Sequence, residues 1–249
     1  METLIQDNFA WALLISSIII FAAFFIRSLT GFGSALVSVP LLALFFDLRF
    51  VVPLEAMLEI VLSIMLLRSV YRDISKTTLV PLILGAIVGS LVGTYILSAF
   101  TDILLKRLLG LVVIVFALNH LRGGANKQTK DIAVGWGAVA GVIGGIFGGL
   151  FGASGPPYVL YLTQKLAHKS VLRASLIGLF TFDYGWRVVI FTATGLIDTQ
   201  MILFGLYLIP ALALGAFLGH RVHFQISEVR FKQIVSGVLI CSGLLLLWQ

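Results

Sequence analysis

The sequence has 249 residues, of which 59% are hydrophobic and only 11% are charged. With a mean hydropathy of +1.09, the chain carries too few charges to cover the surface of a water-soluble domain. The formal net charge of +6 does not indicate nucleic-acid binding, because the Lys and Arg residues are spread over short loops. Composition therefore predicts an integral membrane protein that has the lipid bilayer as its solvent.

Ten apolar segments follow one another along the chain, separated by short polar stretches. A helix needs about 20 mostly apolar residues to cross the hydrocarbon, and several segments reach that length. The segments are 9–26, 34–46, 51–67, 79–100, 104–121, 132–151, 157–163, 171–197, 201–219 and 234–248. The pattern predicts an all-α polytopic membrane protein with about eight to ten transmembrane helices, two of them short, broken or re-entrant.

Two of these segments are too short to span a membrane. Segments 34–46 and 157–163 would be about 20 Å and about 10 Å long as helices, against a hydrocarbon thickness of about 30 Å. Each follows a glycine-rich stretch, Thr-Gly-Phe-Gly-Ser at 30–34 and Gly-Gly-Leu-Phe-Gly-Ala-Ser-Gly at 148–155. The sequence therefore predicts two breaks in the helical backbone.

The recurrence of these features indicates an internal duplication. An offset of about 121 residues pairs Gly31 with Gly152, and a slightly larger offset pairs Leu-Gly-Ala-Ile-Val-Gly at 84–89 with Leu-Gly-Ala-Phe-Leu-Gly at 214–219. Because each half has an odd number of segments, the halves would have inverted topology. The predicted organisation is a first transmembrane repeat at 1–121, a cytoplasmic linker at 122–131 and a second repeat at 132–249.

The positive-inside rule gives the predicted orientation. With the N-terminus outside, most basic residues fall in cytoplasmic loops, and Lys106 and Arg107 form the one external basic cluster. The basic residues of the cytoplasmic loops are Arg68, Arg72, Lys76, Arg122, Lys127, Lys130, Lys165, Lys169, Arg221, Arg230 and Lys232. The expected location is the cytoplasmic (inner) membrane of a bacterium.

The two breaks are the candidate substrate site. Irregular backbone within a membrane must be covered by protein or water, and a helix that begins there presents free N-H groups and its positive dipole end to an anion. The predicted substrate-binding residues are Gly31, Phe32, Gly33, Ser34, Gly152, Ala153, Ser154, Gly155, Pro156 and Pro157, with Arg27 and Arg187 as cations. The alternatives are close helix packing through small residues and, for Arg27, snorkelling to the headgroups.

Ionisable residues within apolar segments are costly and mark functional positions. Glu55, Glu59 and Asp183 are the predicted proton-coupling or charge-balancing groups, because a desolvated carboxyl group is able to take up a proton during transport. Inverted halves would place Glu59 and Arg187 at a similar depth, about 12 to 15 Å from the outer surface, so the two side chains are able to form an ion pair. A static structural pair is the alternative.

Other chemistry finds no support in the sequence. No nucleophile and base pair or nucleotide-binding loop is present, and His120, His168, His220 and His223 lack the mutual spacing of a metal site. We therefore expect no enzymatic activity, no metal and no cofactor.

The stretch Gly-Ala-Ser-Gly-Pro-Pro-Tyr-Val-Leu-Tyr-Leu at 152–162 resembles the second-half motif of the TauE/SafE family of sulfite and organosulfonate exporters. Residues 31–40, which begin Gly-Phe-Gly-Ser and end at Pro40, look like the first-half counterpart, although Ser34 and Ala35 stand where the family has further glycines. The resemblance covers essentially the whole chain.

This resemblance implies a secondary transporter that exports sulfite, sulfoacetate or a related organosulfonate by alternating access. An anion channel and an uptake permease for another small anion remain as alternatives. The expected partners are the small anion, the lipid bilayer and a coupled proton, and both a monomer and a homodimer are compatible with the sequence.

Overall fold

A computed structural model describes residues 9–30, 33–122, 133, 135–222 and 228–249. These residues form ten α-helices and a single 3-10 turn (Tyr71–Asp73), and they include no strand. The helices are α1 (Phe9–Thr30), α2 (Ser34–Ala43), α3 (Leu48–Val70), α4 (Lys76–Ala99), α5 (Asp102–Arg122), α6 (Gly135–Phe151), α7 (Gly155–Lys165), α8 (Lys169–Ala193), α9 (Thr199–Val222) and α10 (Glu228–Trp248). Each predicted apolar segment corresponds to one helix, which confirms the all-helical prediction.

Among the residues that the structure describes, five helical spans are long and apolar enough to cross a membrane. They are Phe9–Leu29, Leu48–Asp73, Lys76–Ala99, Lys169–Ala193 and Thr199–Arg221. By contrast, α2 has 10 residues and α7 has 11, so each is only about 15 to 17 Å long. The chain is therefore a multi-pass membrane protein, and α2 and α7 are much shorter than the bilayer is thick, as predicted.

Helix ends differ from the predicted segment ends where polar residues belong to a helix. Helix α4 begins at Lys76 and α10 at Glu228, several residues before the apolar runs at 79 and 234. Helix α2 ends at Ala43 rather than at 46, because the amides of Phe45 and Phe46 both turn back to the Leu42 carbonyl oxygen at 2.9 Å. Hydropathy alone detects neither feature.

The helices form two packing units. The first contains α1, α2, α5, α9, α10 and the part of α3 that ends at Leu54, and the second contains the rest of α3 with α4, α6, α7 and α8. Each unit takes helices from both predicted repeats. The predicted boundaries 1–121, 122–131 and 132–249 therefore do not coincide with the packing units. The two repeats stay a prediction, and the linker lies almost wholly outside the described residues.

In the second unit, the closest helix contact is made by glycines of α4 and α6. A Cβ atom on Gly85 would overlap the Ala138 carbonyl oxygen, and one on Gly89 would overlap the Val142 carbonyl oxygen. On the facing helix, a Cβ atom on Gly145 would come 2.5 Å from the Ala86 carbonyl oxygen. The two backbones therefore touch, as the small-residue pattern of α6 predicts.

The first unit has a comparable contact between α1 and α9. A Cβ atom on Gly215 would overlap the Phe21 carbonyl oxygen, and one on Gly219 would come 2.5 Å from the Phe25 carbonyl oxygen. The Ser28 hydroxyl donates to the Ala216 carbonyl oxygen at 3.0 Å. In both units, a Leu-Gly-Ala motif thus brings one helix against another.

We expect Gly89→Ala to lower the free energy of unfolding by about 1 to 3 kcal/mol, because the added methyl group meets backbone that has no room to move. The matched control is Gly237→Ala in α10, where an added Cβ atom meets nothing within 4 Å. Thermal unfolding in one detergent measures both variants. Equal stability of the two variants would contradict the backbone contact.

Candidate functional site

The second break interrupts the chain between α6 and α7. Gly152 has a φ of 70°, in the left-handed region that favours glycine, and α7 then begins at Gly155 with Pro156 and Pro157 in its first turn. Residues 151–154 are all buried. The break is therefore enclosed by protein, as the cost of irregular backbone in lipid requires.

At this break, two backbone amides donate hydrogen bonds within the protein and two do not. The Gly152 amide donates to the Gly148 carbonyl oxygen at 2.9 Å, and the Ala153 amide donates to the Phe147 carbonyl oxygen at 3.3 Å. The amides of Ser154 and Gly155 donate no hydrogen bond to any described residue. The Gly152 and Ala153 amides thus complete the hydrogen bonding at the end of α6. The Ser154 and Gly155 amides, at the start of α7, are available to a ligand.

A fully buried polar network joins the break to α8. Asp183 and Arg187 form an ion pair, with 3.1 Å between Oδ2 and Nη2, and both side chains are 0% exposed. The Ser154 hydroxyl donates to Asp183 Oδ2 at 2.8 Å, and the Tyr158 hydroxyl donates to Asp183 Oδ1 at 3.0 Å. Arg187 Nη1 donates to the Gly148 carbonyl oxygen at 2.7 Å. One carboxylate and one guanidinium therefore connect α6, the break, α7 and α8.

The guanidinium keeps unused hydrogen-bond donors. Arg187 has no hydrogen-bond acceptor at Nε or Nη2 among the described residues, although Nη2 lies at ion-pair distance from Asp183. Its Cζ atom lies 4.8 Å from the centre of the Tyr184 ring, which contributes a cation-π contact. A Cβ atom on Gly148 would come 3.5 Å from Arg187 Nε and 3.0 Å from the Ser154 Cβ atom, so Nε lies close to the break.

Glycines of α6 set the position of α7. A Cβ atom on Gly144 would overlap the Tyr158 ring, and one on Gly137 would come 3.0 Å from the Tyr161 hydroxyl oxygen. Both tyrosines are buried, and the missing side chains let their rings lie against the α6 backbone. The absence of a side chain at Gly144 therefore lets the Tyr158 ring take the position from which its hydroxyl donates to Asp183.

The first break belongs to the first packing unit. Gly33 has a φ of 98° and precedes α2, whose residues are almost all buried, including Ser34. Arg27, at the end of α1, is 6% exposed and lies over the Phe24 ring, with 5.7 Å between Cζ and the ring centre. Gly31 and Phe32, two predicted substrate-binding residues, lie outside the described residues.

The remaining predicted ionisable residues lie on α3. Glu55 is 1% exposed and Glu59 is 0% exposed, in the part of α3 that belongs to the second unit. The ion pair that the structure gives Arg187 is with Asp183, on its own helix. The pairing of Glu59 with Arg187 remains a prediction.

The structure thus brings together Ser154, Asp183 and Arg187 from the predicted set. It adds Tyr158 and the Gly148 carbonyl group, which the sequence reasoning did not single out. The i, i+4 spacing of Asp183 and Arg187 predicts an ion pair on one helix, and Tyr158 follows Ser154 by the same spacing. These two spacings are the sequence features that point to the buried network.

We expect Arg187→Met to lower the free energy of unfolding by about 3 to 5 kcal/mol, because Asp183 is left as an unpaired buried charge. The double variant Asp183→Leu/Arg187→Met should recover much of that loss. Thermal unfolding of both variants tests the pair, with Lys106→Met as control, because the Lys106–Asp102 pair is partly exposed at 14% and 25%. A double variant as unstable as the single variant would contradict a paired buried charge.

No curated protein and no solved structure matches the chain. The family model described as sulfite exporter TauE/SafE matches residues 16–246, which is nearly the whole chain. The chain belongs to the TauE/SafE sulfite exporter family.

Proposed function

We propose that this protein is a secondary transporter that moves a small sulfur-containing oxyanion, such as sulfite, sulfoacetate or a related organosulfonate, out across the cytoplasmic membrane by alternating access. Family membership supports an anion exporter. Beyond family membership, we propose the class of substrate and the alternating-access mechanism.

One observation supports the binding site above all others. At the second break, the amides of Ser154 and Gly155 are without acceptors among the described residues, and the Ser154 hydroxyl shares an Asp183 oxygen with Arg187. Free amides at a helix start, a hydroxyl and a guanidinium are the groups that bind oxyanions in proteins. Because the break is buried, an anion that reached it would leave water and would require these donors.

The charge of the second unit supports coupling to protons. Its fully buried ionisable side chains on the described part of α3 and α8 are three carboxyl groups, Glu55, Glu59 and Asp183, and one guanidinium group, Arg187. If all were ionised, an incoming anion would meet net negative charge in a medium of low dielectric. Because Asp183 balances the charge of Arg187, protons carried on Glu55 and Glu59 would remove that barrier.

The helix contacts support two related halves. The predicted alignment pairs Gly85 with Gly215 and Gly89 with Gly219, and all four glycines make backbone contacts between helices. Helix α4, the fourth of the first half, packs on α6, the first of the second half, and α9 packs on α1 in the reciprocal way. This reciprocity is what an inverted repeat would produce, and inverted halves underlie alternating access in many carriers.

An anion channel is the competing function, since it would use the same donors. We expect flux of radioactive sulfite through proteoliposomes to saturate with concentration and to change at least severalfold when a proton gradient is imposed, because a carrier binds its substrate and its coupling ion in each cycle. Protein-free liposomes are the control. A flux that rises linearly with concentration and ignores the proton gradient would favour a channel.

We expect Gly152→Ala to abolish most sulfite transport, because a side chain at a φ of 70° distorts the backbone from which the two free amides project. The matched control is Gly195→Ala, in the turn between α8 and α9. Gly195 has a φ of 73°, and an added Cβ atom there meets nothing within 4 Å. Both changes should lower the free energy of unfolding by about 1 to 2 kcal/mol. A difference in transport between the two variants therefore reports on the site and not on stability. Equal transport by the two folded variants would contradict a site at this break.

A further inference from the structure

The Asp183 carboxylate is surrounded by donors that suit a substrate oxyanion. Its two oxygens are bonded to one carbon, accept from the Ser154 and Tyr158 hydroxyls, and form an ion pair with the Arg187 guanidinium. A sulfite or sulfonate group also presents several oxygens on one atom with a negative charge. The donors on Asp183 are thus the donors that such a group requires.

Building on the proposed function, we infer that Asp183 is a resident anion that holds the substrate's donors while the site is empty. The substrate oxyanion displaces the carboxylate from Ser154, Tyr158 and Arg187. Tyr158 is then a substrate-binding residue.

Burial explains why a resident anion is needed. Arg187 is 0% exposed, so an empty site without Asp183 would leave a bare guanidinium away from water. The hydroxyls of Ser154 and Tyr158 are also covered, at 1% and 0% residue exposure, and each would lose its acceptor. Asp183 accepts from both hydroxyls and pairs with the guanidinium, and it lies one helix turn from Arg187.

The structure also provides donors that Asp183 does not use. The Ser154 and Gly155 amides and Arg187 Nε have no acceptor among the described residues. A substrate that took the place of the carboxylate would gain these donors in addition to those it inherits. This surplus supplies the free energy by which the substrate displaces an intramolecular competitor.

The inference predicts that removing the charge of Asp183 strengthens substrate binding. In Asp183→Asn the side chain keeps its size but no longer competes as an anion for Arg187, so we expect the Kd for sulfite to fall about tenfold. The same variant should transport more slowly, because the bound anion has no competitor to release it. The control is Asp73→Asn, which removes the same charge from an exposed position in the 3-10 turn.

The measurement is the rise in Tm of purified protein with sulfite, at constant ionic strength with chloride as the balancing anion. We expect a larger rise at every sulfite concentration for Asp183→Asn than for the unmodified protein or Asp73→Asn. Tyr158→Phe in the Asp183→Asn background should raise the Kd about tenfold or more, since one donor to the bound anion is lost. An unchanged Kd in Asp183→Asn, or in the double variant, would overturn the inference.

A second variant covers the case in which Asp183→Asn does not fold. Asp183→Ala purified in formate or acetate supplies a free carboxylate for the vacated place, and its Tm should rise with formate in a saturable way while that of Asp73→Asn does not. A Tm that does not change with formate would contradict the resident-anion role.

If the unmodified protein moves no sulfite or sulfonate in proteoliposomes, the proposed function fails. If it does move them while Asp183→Asn binds with unchanged affinity, the inference about Asp183 fails by itself.

Discussion

The buried ion pair between Asp183 and Arg187 is the interaction on which the second packing unit depends. Two charges withdrawn from water are least costly when they neutralise each other and most of their remaining donors and acceptors are satisfied. Here the Ser154 and Tyr158 hydroxyls complete the carboxylate, and the Gly148 carbonyl group accepts from the guanidinium. The pair therefore determines how the end of α6, the break and the start of α7 are held against α8.

Close backbone contacts at glycines allow the helices to pack in that arrangement. Gly85, Gly89 and Gly145 let α4 and α6 touch through their backbones, and Gly144 leaves space for the Tyr158 ring. In a bilayer, the apolar surface of a helix gains little by contact with another helix, so association relies on packing and polar contacts. Small residues thus provide the close approach, and the buried network provides the directional contacts.

Much of the fold was predictable from the sequence, because lipid imposes long apolar helices and both short segments were visible as interruptions of that pattern. The ends of α4 and α10 were less predictable, since Lys76 and Glu228 carry no hydropathy signal yet belong to helices. At the site, Ser154, Asp183 and Arg187 were identified as candidates, but Arg187 was expected to face Glu59. That pairing stays a prediction, and the ion pair that the structure gives Arg187 is with Asp183, one turn away on the same helix. Tyr158 was missed because nothing in an apolar segment distinguishes a tyrosine that contacts lipid from one that donates to a buried carboxylate.

An oxyanion that binds where α7 begins can be located by diffraction. Selenite has the shape and charge of sulfite and carries an anomalous scatterer, so diffraction from crystals soaked in selenite locates it directly. We expect a selenium peak at the second break, with the selenite oxygens within hydrogen-bond distance of the Ser154 and Gly155 amides and of the Arg187 guanidinium. A peak elsewhere, with the Ser154, Tyr158 and Arg187 donors still on Asp183, would contradict it.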